Sequence, residues 1–186
     1  MKLLILYLAL AVLLPNAAAQ DCKSPEYALL HYIIKEQNIR YLAKEASPAP
    51  LLCEYTEAAN TSKYKNFTES VLTFNGDAFI DKQAIVSGIN SLRFKTFLED
   101  NAAYEWDAAC VPAIGQLLDP GETKRTAAPA FFISKPLLTE DLQYAIVYIR
   151  KSNGQPAGGT GFINVYRKDN SGGWQFYAHG GCMTYR

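Results

Sequence analysis

The stretch from Gln143 to Ala178 restricts the fold more than any other part of this chain. Gln143 to Lys151 puts Tyr144, Ile146 and Tyr148 on one side of an extended strand and Ala145, Val147 and Ile149 on the other, because successive side chains of a strand alternate. Both sides are apolar, which predicts a central strand covered on two faces. Arg150 and Lys151 return its end to solvent, and Ser152 to Gly161 is a Gly-rich connection. Phe162 to Lys168 reads as the next strand, with Phe162, Asn164 and Tyr166 facing one way and Ile163 and Val165 the other. Asn170-Ser171-Gly172-Gly173 is a hairpin turn, after which Trp174 to Ala178 pairs back and Cys182 to Tyr185 extends the pairing. Links this short make the neighbours antiparallel.

The earlier part of the chain reads as helical. Ser24-Pro25-Glu26 combines a capping hydroxyl, a proline at the first helical position and an acid in the first turn. Leu29, Leu30, Ile33, Ile34 and Tyr41 recur at helical spacing, which predicts a helix from Pro25 to Glu45 ended by Ser47-Pro48-Ala49-Pro50. Leu51 to Tyr55 and Val71 to Phe74 are expected as short strands. Asn75-Gly76-Asp77 turns the chain into a second helix over 77–88, with Phe79, Ile80 and Ala84 inward. Phe94, Phe97 and Leu98 are expected in the core, and Val111 to Leu118 as a short helix following Pro112. Asp119 to Pro129 is a loop, and Phe131-Phe132-Ile133 opens a strand that ends near Pro136. Helices first and strands last predict an α+β domain, its N-terminal helices packed on one face of a C-terminal antiparallel meander.

The first 19 residues have another character. Lys2 precedes an apolar run to Leu14, Pro15 and Asn16 break it, and Ala17-Ala18-Ala19 supplies the small residues of a cleavage site. This is the pattern of a secretory signal peptide, residues 1–19. The run is shorter than the roughly 20 apolar residues that a spanning helix needs, and no later stretch is longer. Residues 20–186 are then a single domain of ordinary size. With 18 basic and 18 acidic residues, the chain has no electrostatic reason to bind nucleic acid or an anionic membrane. Asn60-Thr61-Ser62 and Asn66-Phe67-Thr68 fit the N-glycosylation pattern, which matters only in a glycosylating secretory pathway. They are read as turn residues.

Export puts Cys22, Cys53, Cys110 and Cys182 where disulfides form. Four cysteines allow three pairings. The expected pairs are Cys22–Cys53 and Cys110–Cys182, each tying a chain end to the body. Zinc sites favour closely spaced Cys or His pairs, and the chain has no C-x-x-C or H-x-x-x-H. Neither metal nor cofactor is expected.

Asp77-Ala78-Phe79-Ile80-Asp81-Lys82-Gln83 resembles a helix start seen in a recurrent type of exported Gram-negative bacterial protein. Ala145-Ile146-Val147-Tyr148, the Gly-rich turn and Gly172-Gly173-Trp174-Gln175-Phe176 resemble the end of the same type, so the likeness covers residues 76–178. It implies export and fold, and carries no activity. A weaker similarity is to NTF2-like domains, whose curved antiparallel sheet often ends in a Gly-Trp strand. It implies an NTF2-like or cystatin-like curved sheet.

Few residues point to chemistry. His31 is expected as an ordinary helix residue beside the apolar face. His179-Gly180-Gly181 is similar to the oxyanion loop of esterases, but that loop serves a Gly-x-Ser-x-Gly elbow, which this chain lacks. A dyad of His179 with Cys110 or Cys182 needs a free thiolate, and export favours oxidised thiols. The glycines from Gly154 to Gly161 precede a strand, whereas phosphate cradles precede a helix. Glu99-Asp100, Glu105 with Asp107, and Glu140-Asp141 are expected as solvated loop acids, since an acid/base pair must converge on a cleft. Tyr144, Tyr148 and Tyr166, with His179, are the candidate ligand-binding residues if they share a concave sheet face. A packed core is the favoured reading of the tyrosines. The function expected is a non-enzymatic exported module that binds a protein or envelope component. The alternative is a small-molecule pocket protein or enzyme of NTF2-like design.

Overall fold

In the computed structural model Ser24 caps helix α1 (Pro25–Glu36) by accepting a hydrogen bond from the Tyr27 amide, and Pro25 occupies the first turn. The structure describes residues 21–46, 82–89, 93, 96–97, 100, 103–113, 115–123, 125–126, 128–152, 159–180 and 184–185. The expected strands at Leu51–Tyr55 and Val71–Phe74, the start of the second helix, the residues Cys53, Asn60, Asn66 and Cys182 lie outside them.

The helix stops well before Glu45. Gln37 closes it, Asn38 turns at φ 50°, and strand β1 (Tyr41–Ala43) begins. Tyr41 belongs to that strand and not to the helical stripe, because asparagine tolerates the left-handed turn that ends a helix. Helix α2 spans Lys82–Gly88. A 3-10 turn at Ala108–Cys110 leads to strand β2 (Gln116–Leu118), so the helix expected over Val111 to Leu118 is replaced by turn and strand.

Strands β3 (Phe131–Ile133), β4 (Leu137–Leu138), β5 (Tyr144–Ser152), β6 (Gly159–Lys168), β7 (Trp174–Gly180) and β8 (Thr184–Tyr185) complete a mixed sheet. Its order is β2-β1-β3-β5-β6-β7, with β4 paired to β5 and β8 to β6. The pairs of β5 with β3, β4 and β6, and of β6 with β7 and β8, are antiparallel. β1 runs parallel to both β2 and β3, which the expectation of an antiparallel sheet did not include. The fold is α+β.

The sheet is covered on both faces. Leu29, Leu30, Ile33 and Ile34 of α1 share one core with Ala145, Val147, Ile149 and Tyr166. Ile85 of α2, Ile89 and Phe97 share a second core with Tyr144, Ile146, Tyr148, Ile163 and Val165. The helices therefore lie on opposite faces, and the expectation that both pack on one face is corrected. The reason is the double-sided apolar pattern of β5, which leaves hydrophobic surface on each side to be covered. Gly161 lets the Tyr148 ring lie against the β6 backbone, in space a β-carbon would fill.

One segment clamps the start of α1. Cys22 is bonded to Cys110, which replaces both expected pairs, Cys22–Cys53 and Cys110–Cys182. His31 Nε2 donates to the Cys110 carbonyl at 2.6 Å, and the Asp107 amide donates to the Tyr27 hydroxyl at 2.8 Å. The Trp106 ring stacks edge-on against Tyr27 at 5.4 Å and its Nε1 donates to the Ile133 carbonyl at 3.1 Å. His31 is thus a satisfied structural residue. Among the described residues no helix is long and apolar enough to cross a membrane.

Candidate functional site

The register of β5 with β6 decides which candidate residues meet. Tyr144 pairs with Arg167, Ala145 with Tyr166 and Tyr148 with Ile163. Directly opposed residues share a face, so Tyr166 lies with Ala145 under α1 while Tyr144 and Tyr148 lie on the α2 side. Tyr144, Tyr148 and Tyr166 therefore do not share one sheet face, the condition on which their candidate ligand-binding role rested. All three are buried.

His179 joins Tyr166, and a β-bulge is the cause. Val165 pairs with Ala178 but Tyr166 pairs with Phe176, which leaves Tyr177 as the extra residue of β7. A bulge of this kind reverses the alternation beyond it. Phe176 therefore faces α1 with Tyr166, and His179, three residues on, faces α1 with its partner Asn164. Without the extra residue His179 would point to the α2 side. The Phe176 amide donates to the hydroxyl of Tyr32 on α1 at 3.2 Å.

Asn164 links the surface to the core. It is 0% exposed in the middle of β6. Its Oδ1 accepts from His179 Nδ1 at 2.8 Å and its Nδ2 donates to the Tyr166 hydroxyl at 3.0 Å. The side chain of Gln37, at the end of α1, lies near the same hydroxyl. Because an amide oxygen only accepts, His179 holds a proton on Nδ1. Its Nε2 is then the atom left to act as base or acceptor in the neutral ring, and the residue is exposed.

Aromatic rings frame the histidine. Phe176 lies 4.4 Å and Phe162 6.3 Å from the imidazole, centroid to centroid. Tyr166 meets Phe176 at 6.0 Å and Tyr32 at 5.9 Å, both edge-on. Tyr32 and Glu36, one turn apart on α1, complete the rim. Desolvation raises the Glu36 carboxyl above its ordinary value, and the nearby His179 charge partly offsets this. Burial, chiefly, pushes the Tyr166 phenol above the usual tyrosine range, so it stays protonated.

Among the described residues the remaining chemical candidates do not assemble, and Glu99 and Cys182 lie outside those residues. Asp100 pairs with Lys135 at 2.8 Å and Glu105 with Lys44 at 2.9 Å. Asp107 caps the 3-10 turn and Asp141 accepts from Thr139 and Gln143. Cys110 is bonded to Cys22 and is therefore not a thiolate partner for His179. Among the described residues no group of three or more His, Cys, Asp or Glu side chains can hold a metal ion. The site residues that sequence reasoning passed over are Asn164, Phe176, Tyr32, Glu36 and Gln37. One signal for them was present: an asparagine inside the otherwise apolar run Phe162-Ile163-Asn164-Val165-Tyr166 needs a partner once buried. No family model, curated protein or solved structure matches the chain.

Proposed function

We propose that this chain is an exported, non-enzymatic module that binds a protein or other envelope component through the surface around His179. The observation that carries the reading is Asn164. A buried strand position is filled by an amide whose two polar atoms hold one exposed histidine and one buried tyrosine. Such fully satisfied networks rigidify the groups they hold. The product here is a fixed imidazole beside two phenyl rings, and aromatic residues are enriched at protein interfaces. Export is supported by the leader-like pattern of residues 1–19 and by the Cys22–Cys110 bond. The accompanying fold reading is N-terminal helices on a C-terminal antiparallel meander of NTF2-like or cystatin-like kind. The antiparallel pairs of β5, β6 and β7 support it and the parallel strand β1 counts against it.

Native mass spectrometry of the protein taken from the envelope of the cell that makes it tests the reading. A macromolecular partner should remain on the wild type and on Tyr144→Phe, and be lost from His179→Ala and from Phe176→Ala. A partner kept by both of the latter, or a wild type that carries none, overturns it.

A further inference from the structure

Tyr32 and Glu36, the last residue of α1, lie one helical turn apart, and residues four apart share a helix face. That face meets the bulged strand β7. The Tyr32 hydroxyl accepts from the Phe176 amide at 3.2 Å, and the Tyr32 ring meets Tyr166 edge-on at 5.9 Å. Glu36 is thereby carried beside the same strands, close enough for its charge to act on both His179 and Tyr166. Its carboxylate and the imidazole belong to exposed residues, while Tyr32, Phe162 and Phe176 are partly buried around them.

The two exposed polar groups are both acceptors. Asn164 Oδ1 keeps the His179 proton on Nδ1, so Nε2 of the neutral ring carries a lone pair and no hydrogen. The ionised Glu36 side chain can only accept. Phe162 and Phe176 add rings with negative faces. Among the described residues no lysine or arginine forms an ion pair with Glu36. Desolvation holds its carboxyl above the ordinary value. The protein has taken water from the carboxylate and, while His179 is neutral, returns no cation.

Charge selects what can dock here. An anion would meet Glu36 and a lone pair. An apolar side chain would strip more water from the carboxylate, which costs free energy with nothing returned. A zinc ion takes three or four protein ligands, and among the described residues no group of three His, Cys, Asp or Glu can hold a metal. A guanidinium meets none of these penalties. Its five donors can serve a carboxylate and an imidazole together. It is more weakly hydrated than an ammonium and favours aromatic rings. We infer that the partner presents an arginine side chain, its guanidinium donating to the Glu36 carboxylate and to Nε2 of His179 beside the Phe176 ring, an assignment that rests on this surface being a docking site.

Titration of the full, disulfide-bonded protein with N-acetyl-arginine N-methylamide tests it, followed by the His179 ring resonances above the titration range of histidine. The comparisons are the citrulline analogue, neutral and nearly identical in shape, and the lysine analogue. The arginine compound should bind in the millimolar range, the strength open to a ligand of its size. Citrulline should bind about tenfold more weakly or worse, the loss expected for charge-assisted hydrogen bonds, and lysine more weakly than arginine. Glu36→Gln should weaken arginine by about the same tenfold and leave citrulline unchanged. No shift at about 20 mM of the arginine compound overturns the assignment. So does citrulline or lysine that binds as tightly as arginine. All three comparisons are made on the wild type, so none depends on how a variant folds. A failure here, with a natural partner still lost from His179→Ala, removes the arginine and leaves the docking surface; a partner kept by His179→Ala removes the surface itself.

Discussion

Leu142 stands at φ 57° and is 37% exposed, between Asp141 and Gln143 at the entrance to β5. A left-handed backbone costs a residue with a β-carbon about 1–2 kcal/mol, and the extra freedom of glycine in the unfolded chain takes back about 0.4–1 kcal/mol. Leu142→Gly is therefore expected to stabilise the protein by up to about 1.6 kcal/mol, seen as a higher urea midpoint; a lower midpoint contradicts the backbone geometry. Two carboxylates should respond to pH with opposite sign. The Thr139 hydroxyl first, and then the Gln143 amide, hold the Asp141 carboxyl below its ordinary value. Its stabilisation is present above the ordinary carboxylate pKa and fades as pH falls through the lowered one. Desolvation raises Glu36, so its contribution is complete below the ordinary pKa and is lost as pH rises through the raised one. In melts at neutral pH Asp141→Asn should be less stable than wild type and Glu36→Gln more stable, with both differences closing below the carboxylate range. Equal melting temperatures at neutral pH would show that neither environment perturbs its group.

Among the elements, the clamp on α1 carries the largest single effect. The Cys22–Cys110 bond spans 88 positions, and loop-closure entropy for that length corresponds to roughly 4–5 kcal/mol as an upper estimate. Cys22→Ser should lose about 2–5 kcal/mol, and peptide mapping of unreduced protein should yield Cys22 linked to Cys110. A Cys22–Cys53 peptide would contradict the structure. Gly161→Ala should cost about 1–3 kcal/mol by overpacking, because the new methyl meets the buried Tyr148 ring, whereas Gly121→Ala meets nothing within 4 Å and should be neutral. The strands β5, β6 and β7 were legible in the sequence because their alternation and the Asn170–Gly173 turn are local signals. Their register was not. Whether Tyr144 opposes Arg167 or Tyr166 is one residue of slip, and one residue exchanges the faces. The bulge at Tyr177 is invisible for the same reason, and with it the meeting of His179 and Asn164. The disulfide choice rests on the fold of residues 103–110 around α1, which is tertiary information.

For the molecule as a whole, the two-sided apolar pattern of β5 was enough to foresee a covered central strand, but the helices, expected on one face of the sheet, cover opposite ones. Parallel pairing of β1 with β2 joins residues 41–43 to 116–118, a separation over which no local periodicity speaks. The short run near Val111 to Leu118 read as helix because a brief apolar stretch fits either period. What the assembled fold adds is one exposed histidine fixed from beneath by a buried amide, between the end of α1 and the bulged strand β7. Long-range ¹H–¹⁵N correlation spectroscopy of the histidine side chains above their titration range tests that arrangement most directly. The account predicts that neutral His179 carries its proton on Nδ1 in the wild type and shifts toward the Nε2–H form in Asn164→Leu. A wild-type His179 already in the Nε2–H form, or one that Asn164→Leu leaves unchanged, would contradict it.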